Sequence, residues 1–352
     1  MLFRRTLVVA LLCALPVLSS SAADDAAKPA QSVKWVLPWK DGTSLTYAAS
    51  ESTTDETKGV RKRSRSSSTT VVRITESSAD GFVQTWTGSG YTFEVLEGDK
   101  SEEAQMKALA AALDDLPVSV QLNADGNFTG VRNMDVLMPR FRAAMRPIFD
   151  GMIEAGVKKI ADEKTRATKR AEAQAAMDKA METMLSPAMM EALLARNISW
   201  YNGFVGIDLE PEQAYELETD LPSPLGGPNI PAKLTFSLSV SEDDAEDLFV
   251  SYHQAVDSEK ARAALRANAN HIVDGKIPES ELAKIEMTVK DEGFFVVHRP
   301  TGLVEMFEAT RTTTVNGKDK VERSRMRLLN GDHDHTWKDE ETDALPAAAK
   351  DA

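Results

Sequence analysis

Methionine is the most distinctive source of possible ligand chemistry in this sequence. Nine of the fourteen methionines lie at positions 134, 138, 145, 152, 177, 181, 184, 189 and 190. Flexible thioether side chains suit a surface that must accept varied apolar partners. The competing interpretation is that these methionines occupy the core-facing positions of helices, as apolar residues at helical spacing usually do.

Five residues of this stretch are the candidate ligand-binding residues. They are Met138, Phe141, Met145, Phe149 and Met152, in a segment whose apolar side chains recur at helical spacing. We expect them to contact an apolar ligand.

Two other groups of residues have the chemistry to bind a metal ion. Met177, Met181 and Met184 would offer soft thioether ligands to cuprous copper, but no histidine or cysteine lies near them in the sequence. Residues 332–335 (Asp-His-Asp-His) could ligate zinc or copper, but they fall in an acidic tail rather than in the folded frame of a four-ligand site. We therefore predict no metal site and no cofactor.

Motifs of common catalytic sites are missing from the sequence. It contains no Gly-x-Ser-x-Gly, no His-Glu-x-x-His and no glycine-rich phosphate loop between a strand and a helix. Acidic residues are so frequent that spacing alone singles out no pair for hydrolysis. The sequence therefore predicts a protein that is not an enzyme.

The first 23 residues have the pattern of a secretory signal peptide. Arg4 and Arg5 precede an apolar run over 7–18, and small residues follow at 21–23. We predict cleavage after this segment, a disordered leader over 24–32, and a mature protein in the periplasm or secreted. Cys13 raises the alternative of a lipid anchor, but Leu12 precedes it where a small residue is expected.

Charge argues against one class of ligand, and hydropathy argues against a membrane-spanning helix. The formal net charge is −14 at pH 7, which argues against nucleic acid as a ligand. After the signal peptide no apolar run approaches the roughly 20 residues that a membrane-spanning helix needs. We therefore predict no transmembrane segment in the mature chain.

Period-2 alternation between turn residues predicts strands on both sides of a helical segment. Strands are predicted at 42–50, 68–75, 82–87 and 91–96, then a short helix at 101–113 and a hairpin at 116–132. After the helical segment, strands are predicted at 199–209, 214–219, 233–240, 248–253, 285–289, 294–298, 303–315 and 320–329, with a helix at 259–273.

The helical segment covers 134–198 and divides the chain. Its first helix is predicted to start near Asp135 and to kink or restart at Pro147. A charged and mostly solvated arm follows at 158–182, and a last helix runs from the Ser186-Pro187 pair through Leu194.

These elements predict an α+β fold, with one or two curved antiparallel sheets or a half-barrel. The two similar halves are 33–133 and 199–330, and the helical segment is inserted between them. The tail at 331–352 is predicted to be acidic and disordered. Whether the halves share a single sheet stays open.

A basic cluster at 61–65 interrupts the Ser/Thr-rich sequence of the first half. It could contact anionic lipid head groups or a polyanionic polymer. The preferred interpretation is an exposed hairpin loop whose charges prevent edge-to-edge pairing.

Two short motifs carry a resemblance. An Asp-Gly turn and hairpin at 125–131, and Pro-Thr-Gly-Leu-Val-Glu at 300–305 before Thr-rich strands, resemble exported bacterial β-rich domains of unknown function. More loosely, the pattern is similar to the half-barrel lipoprotein carriers, in which a curved antiparallel sheet covered by helices forms an apolar cleft. That resemblance implies a lipid or lipoprotein ligand. The chain departs from the simple carriers in its length and in the charged arm.

These observations lead to one preferred function and one alternative. We predict a non-catalytic exported protein that binds an apolar or lipidated ligand through a curved sheet and Met-rich helices. The alternative is a structural or assembly protein of the envelope, in which the charged arm at 158–182 contacts a protein partner.

Overall fold

The computed structural model describes nine stretches of the chain. They are residues 33–34, 39–57, 60–101, 103–184, 186–203, 208–221, 230–241, 244–256 and 287–331. The predicted signal peptide, leader, tail, helix at 259–273 and Asp-His-Asp-His run lie outside the described residues, apart from the first residue of the tail.

Strands account for most of the described chain. They are β1 (Val33–Lys34), β2 (Ser44–Thr57), β3 (Val60–Ser78), β4 (Gly81–Glu97), β5 (Pro117–Asn123), β6 (Phe128–Val131), β7 (Asp208–Leu209), β8 (Ala214–Leu221), β9 (Ile230–Val240), β10 (Asp247–Val256), β11 (Met287–His298), β12 (Leu303–Val315) and β13 (Lys318–Leu328). The described helices are α1 (Glu103–Leu113), α2 (Met134–Val157), α3 (Glu163–Met184) and α4 (Pro187–Asn202).

Eleven of these strands form one open, curved antiparallel sheet in the order β6-β5-β4-β3-β2-β13-β12-β11-β10-β9-β8. Each half of the chain is a meander, and the first strand of one meander, β2, pairs with the last strand of the other, β13. The predicted α+β antiparallel fold with a helical insertion is therefore confirmed. The two halves share a single sheet, and the short strands β1 and β7 pair separately.

Two predicted turns lie inside longer strands. The predicted strands at 82–87 and 91–96 are both part of β4, because pairing with β3 resumes after a register shift between Ser67 and Thr69. Gly90, at φ +65°, lies opposite this irregularity. The predicted strands at 285–289 and 294–298 overlap the single strand β11. Glycine in a strand here accompanies a bulge or close packing rather than a chain reversal.

The basic cluster at 61–65 also lies within a strand, so its interpretation as a hairpin loop is wrong. It belongs to β3, which is paired on both sides. Arg65 contacts Glu94 at 3.4 Å and Arg61 contacts Glu97 at 3.8 Å, both across to β4.

The helical insertion differs from its prediction at three points. Helix α2 continues through Pro147, so the helix does not restart there, and the alternative of a kink stays a prediction. Helix α3 begins at Glu163 rather than at 158, where Asp162 accepts a hydrogen bond from the backbone N–H of Thr165 at 2.7 Å. Most described residues of α3 are exposed, as predicted for the charged arm.

Ion pairs hold α3 against α2. Arg170 of α3 contacts Glu154 of α2 at 2.6 Å, and Arg146 of α2 contacts Asp178 of α3 at 3.0 Å. All four side chains are substantially exposed, so these pairs orient the helices more than they stabilise them.

The third difference between the predicted and the observed helical insertion is the residue at which α4 ends. Residues 199–202, predicted to begin a strand, form its last turn. Tyr201 and Asn202 of this turn and the preceding Ile198 are buried at helical spacing against the sheet. Burial of this face overrides the strand preference of the aromatic sequence.

The hydrophobic core lies on one face of the sheet, which we call the inner face. It carries alternate residues of neighbouring strands, among them Tyr47 on β2, Val72 on β3, Trp86 on β4 and Phe307 on β12. Helix α4 packs on this face, since Ile198 and Tyr201 belong to the same cluster.

A substitution at Gly293 tests how closely this core is packed. A Cβ atom at Gly293 would overlap the carbonyl oxygen of Glu308 and press on the ring of Tyr252. We expect Gly293→Ala to lower the free energy of unfolding by about 1–3 kcal/mol in urea denaturation. The matched change Gly156→Ala in α2, where nothing lies within 4 Å, should raise it by about 0.5–1 kcal/mol. If Gly293→Ala leaves the free energy of unfolding unchanged, the close packing at this position is contradicted.

Candidate functional site

A cavity of about 290 Å³ lies between the inner face and helix α4. It is lined by Ala49, Ser50, Glu51, Ser66, Ser67, Ser68, Thr70, Trp86, Gly88, Tyr91, Leu116, Val118, Leu194, Ile198, Phe307, Ser324, Arg325 and Met326. The volume is just below the range that is usual for small-molecule sites, about 300–1,000 Å³.

Strand register explains why there is space here. Ala49 on β2 lies between Ser68 on β3 and Met326 on β13. In the next row along the strands, about 7 Å away, Glu51 lies between Ser66 and Ser324. Short side chains on adjacent strands leave a depression in the sheet, and α4 covers part of it.

The part of the cavity next to α4 is apolar. Leu194 and Ile198 of α4 face it, and Trp86, Phe307 and Met326 line it from the sheet. An apolar group of a ligand would be removed from water on contact with these side chains, which is favourable at about 25 cal/mol per Å² of buried apolar surface.

The part of the cavity that lies away from the core is polar. Glu51, Ser66 and Ser324 form one cross-strand row there. The Tyr91 hydroxyl lies over Gly88, where a Cβ atom would collide with it. Tyr91 is 42% exposed. Its partial burial raises the pKa of its hydroxyl, and the nearby charges of Glu51 and Asp114 raise it further, so this phenol is neutral and able to donate a hydrogen bond.

The position of α4 is determined by buried polar contacts. The Tyr47 hydroxyl donates to the backbone carbonyl of Val304 at 2.9 Å and lies 2.6 Å from the Tyr201 hydroxyl. Because Tyr47 has one hydroxyl hydrogen and uses it on Val304, Tyr201 must be the donor to Tyr47. Both rings are fully or almost fully buried.

A second contact of the same kind involves Asn202 at the end of α4. Its side-chain amide exchanges hydrogen bonds with Gln84 at 3.3 Å, and Gln84 also accepts from the Trp86 indole at 2.9 Å. Asn202 and Gln84 are both buried. Since Trp86 lines the cavity, this network positions the helix and the cavity wall together.

The five predicted ligand-binding residues do not line this cavity. Met138, Phe141 and Met145 pack together with Met190 and Met134 in a separate small cluster between α2 and α4. Phe149 is buried outside that cluster, and Met152 is 56% exposed. Their role as ligand contacts stays a prediction, while three of them have a packing role.

The methionines proposed for cuprous copper are only partly described. Met181 is buried and Met177 is half-buried. The structure does not describe the side chain of Met184. Among the described side chains, no group of three or more His, Cys, Asp or Glu residues has the geometry to hold a metal ion.

Sequence reasoning missed every residue of the cavity. The alternation in β3 and β4 indicates which residues share a face, but short residues such as Ser66 and Ser68 look like an ordinary solvated strand. The available signal was the small size of several same-face residues in succession, and it needs the strand register to become visible.

Comparisons with known proteins identify no family. No protein-family model matches the chain, and no curated protein matches it. Among solved structures, one describing lipid–protein interactions in lipovitellin aligns at 8% identity and a TM-score of 0.39, over 85% of this chain and 26% of that one. An outer membrane channel from Pseudomonas putida F1 aligns at 7% identity and a TM-score of 0.18, over 88% of this chain and 100% of that one.

Both TM-scores are below 0.5, so neither alignment establishes a shared fold or function. The chain spans about a quarter of the length of the lipovitellin chain. Within the described residues, no helix is both long and apolar enough to span a membrane.

The tyrosine pair that holds α4 yields an asymmetric prediction. Tyr47→Phe leaves the buried Tyr201 hydroxyl without its acceptor, so it should lower the free energy of unfolding by about 1–3 kcal/mol. Tyr201→Phe leaves Tyr47 bonded to Val304 and should cost only about 0.5–1.5 kcal/mol. Chemical denaturation at neutral pH measures both, and equal costs would contradict the donor order.

The same variants give a pH signature. Burial raises the pKa of both Tyr47 and Tyr201 above the ordinary value. Stability from these groups is complete below pH about 10, where unfolded tyrosines are neutral, and falls as the pH rises further. Loss of stability above pH 10 should therefore be less steep in Tyr201→Phe than in the wild type.

Proposed function

We propose that this protein is a non-catalytic binding protein for a small amphipathic molecule, which it holds in the cavity beneath α4. The observation that carries the proposal is the chemical division of one cavity. Its lining is apolar where Ile198, Trp86 and Phe307 meet, and it ends in a row of hydroxyl and carboxylate side chains.

The division favours a ligand with an acyl or other apolar chain and a polar head. The chain would lie against the apolar lining, and the head would contact Ser66, Ser324 and the rim near Glu51. A wholly apolar ligand would leave these polar groups without replacement for water, which is unfavourable.

The alternative function, an envelope assembly protein that contacts its partner through the charged arm, has less support. Helix α3 is exposed, which suits a protein contact. Some of its charges, Arg170 and Asp178, are nevertheless engaged by α2. The assembly function stays a prediction, and the cavity is the better-supported site.

Export belongs to this proposal as well. The signal-peptide pattern supports a mature protein that starts near residue 24 in the periplasm or outside the cell. We expect the intact mass of the protein from the envelope or secreted fraction to correspond to loss of residues 1–23. A full-length chain, or a lipid-modified Cys13, would contradict ordinary cleavage.

Filling the cavity tests the binding proposal. Ser68 is buried beside Ala49 in the lining, so Ser68→Leu should occupy the space and weaken binding of dodecanol by roughly tenfold or more in calorimetric titration. The wild-type protein should bind dodecanol with a stoichiometry of one.

Two control variants distinguish the cavity from the opposite face of the sheet and from the methionine cluster. Thr69→Leu changes the adjacent residue, which alternation places on the opposite face, and should leave binding unchanged. Met138→Ala tests the methionine cluster and should lower stability but not affinity. If Met138→Ala weakens binding and Ser68→Leu does not, the ligand lies among the methionines.

A further inference from the structure

A line of hydroxyl groups runs along β3 on the floor of the cavity. Ser66, Ser68 and Thr70 are alternate residues of this strand, so their side chains lie on the inner face at intervals of about 7 Å. All three residues line the cavity. Ser66 belongs to the row at the polar end, and Ser68 and Thr70 follow it towards the core. The hydroxyl groups therefore extend beyond the polar end and along the path of a bound chain.

The protein itself does not use these hydroxyl groups. Within the described part of the chain, the side chains of Ser66, Ser68 and Thr70 make no hydrogen bond. The adjacent Ser67, on the opposite face, is by contrast hydrogen-bonded to Thr92 at 2.7 Å. Ser68 is only 7% exposed. A buried hydroxyl without a partner is unfavourable, so a ligand group that bonds to Ser68 gains free energy that a bare hydrocarbon chain does not.

The sheet leaves space beside Ser68. The register between β3 and β4 shifts between Ser67 and Thr69, so Ser68 has no paired residue on β4. Its partner on β2 is Ala49, whose side chain is short. Bulges of this kind are frequent next to functional sites, because they interrupt the regular packing of a sheet. The hydroxyl of Ser68 is therefore open to a molecule inside the cavity.

The neighbouring part of the floor is apolar. Ala49 on β2 and Met326 on β13 continue the row of Ser68 across the sheet. Leu194 and Ile198 line the cavity from α4. One edge of a bound molecule would thus contact hydroxyl groups, while its other surfaces contact hydrocarbon. This division suits a chain that has a polar group along its length as well as at its end.

We propose that the cavity selects amphipathic ligands whose apolar chain carries a second, neutral oxygen-bearing group, such as a hydroxyl, about 7 Å from the polar head. This inference rests on the proposed function and names its ligand class. With the head in the row of Ser66, the second group lies at Ser68, whose hydroxyl can both donate and accept a hydrogen bond. The second group is neutral, because a charged group would lose its hydration at this buried position.

Two dodecanediols of identical composition test the position of the second hydroxyl. In one, it lies in mid-chain, about 7 Å from the terminal hydroxyl of the extended molecule. In the other, it is on the carbon next to the terminal hydroxyl and cannot reach Ser68 when the head lies at Ser66. In calorimetric titrations, below the concentration at which each probe aggregates, we expect the mid-chain diol to bind roughly fivefold or more tightly than its isomer.

Ser68→Ala removes the hydroxyl and keeps the space. It should weaken binding of the mid-chain diol roughly tenfold or more, because the buried hydroxyl of the ligand loses its partner, and should change the affinity for dodecanol by no more than about twofold. The matched control is Thr69→Val, which removes the hydroxyl of the next residue, on the opposite face. This control should retain the preference for the mid-chain diol.

The possible outcomes are distinct. Loss of the preference in Ser68→Ala, with dodecanol still bound, supports the inference. If dodecanol binds but the two diols bind equally to the wild-type protein, the inference is overturned and the cavity remains a binding site. The inference is also overturned if the preference survives Ser68→Ala. If neither dodecanol nor either diol binds, the proposed function itself fails.

Discussion

Pairing of β2 with β13 is the constraint on which the rest of this structure depends. The two meanders are separated in sequence by the helical insertion, and this pairing of the first sheet strand with the last makes them one sheet. The cavity crosses the junction, because Ala49 and Glu51 on β2 face Met326 and Ser324 on β13. Neither half contains the whole lining of the cavity, so both halves must fold for the cavity to form.

Helix α4 covers part of this junction. It is held by the Tyr201–Tyr47 and Asn202–Gln84 contacts, which are buried and hydrogen-bonded at both ends. Buried polar contacts add modest net stability, but misplacing them is costly, and they therefore favour one position of the helix over others. An apolar interface alone would permit sliding. This specificity keeps Ile198 over the cavity.

The arrangement explains how one face of the sheet can provide both a packed core and an open cavity. Along β2 and its neighbours, large buried residues near Tyr47 give way to small residues near Ala49 and then to polar ones near Glu51. Close packing, open space and solvated rim follow one another at intervals of about 7 Å along the same strands. The methionines of α2 and α4 serve a different purpose in the structure, since their buried members join the helices to each other.

The sequence by itself determined the features that repeat over a short distance. Alternation predicted the strand-rich halves and the strand at 303–315, and helical spacing predicted α2. Tertiary structure alone decided that β4 continues past Gly88, that α4 extends to Asn202, and that the cavity forms. The physical reason is that these features depend on contacts between residues far apart in the chain. A glycine becomes a bulge only when a partner strand continues past it, and small side chains become a cavity only when strands from both halves align.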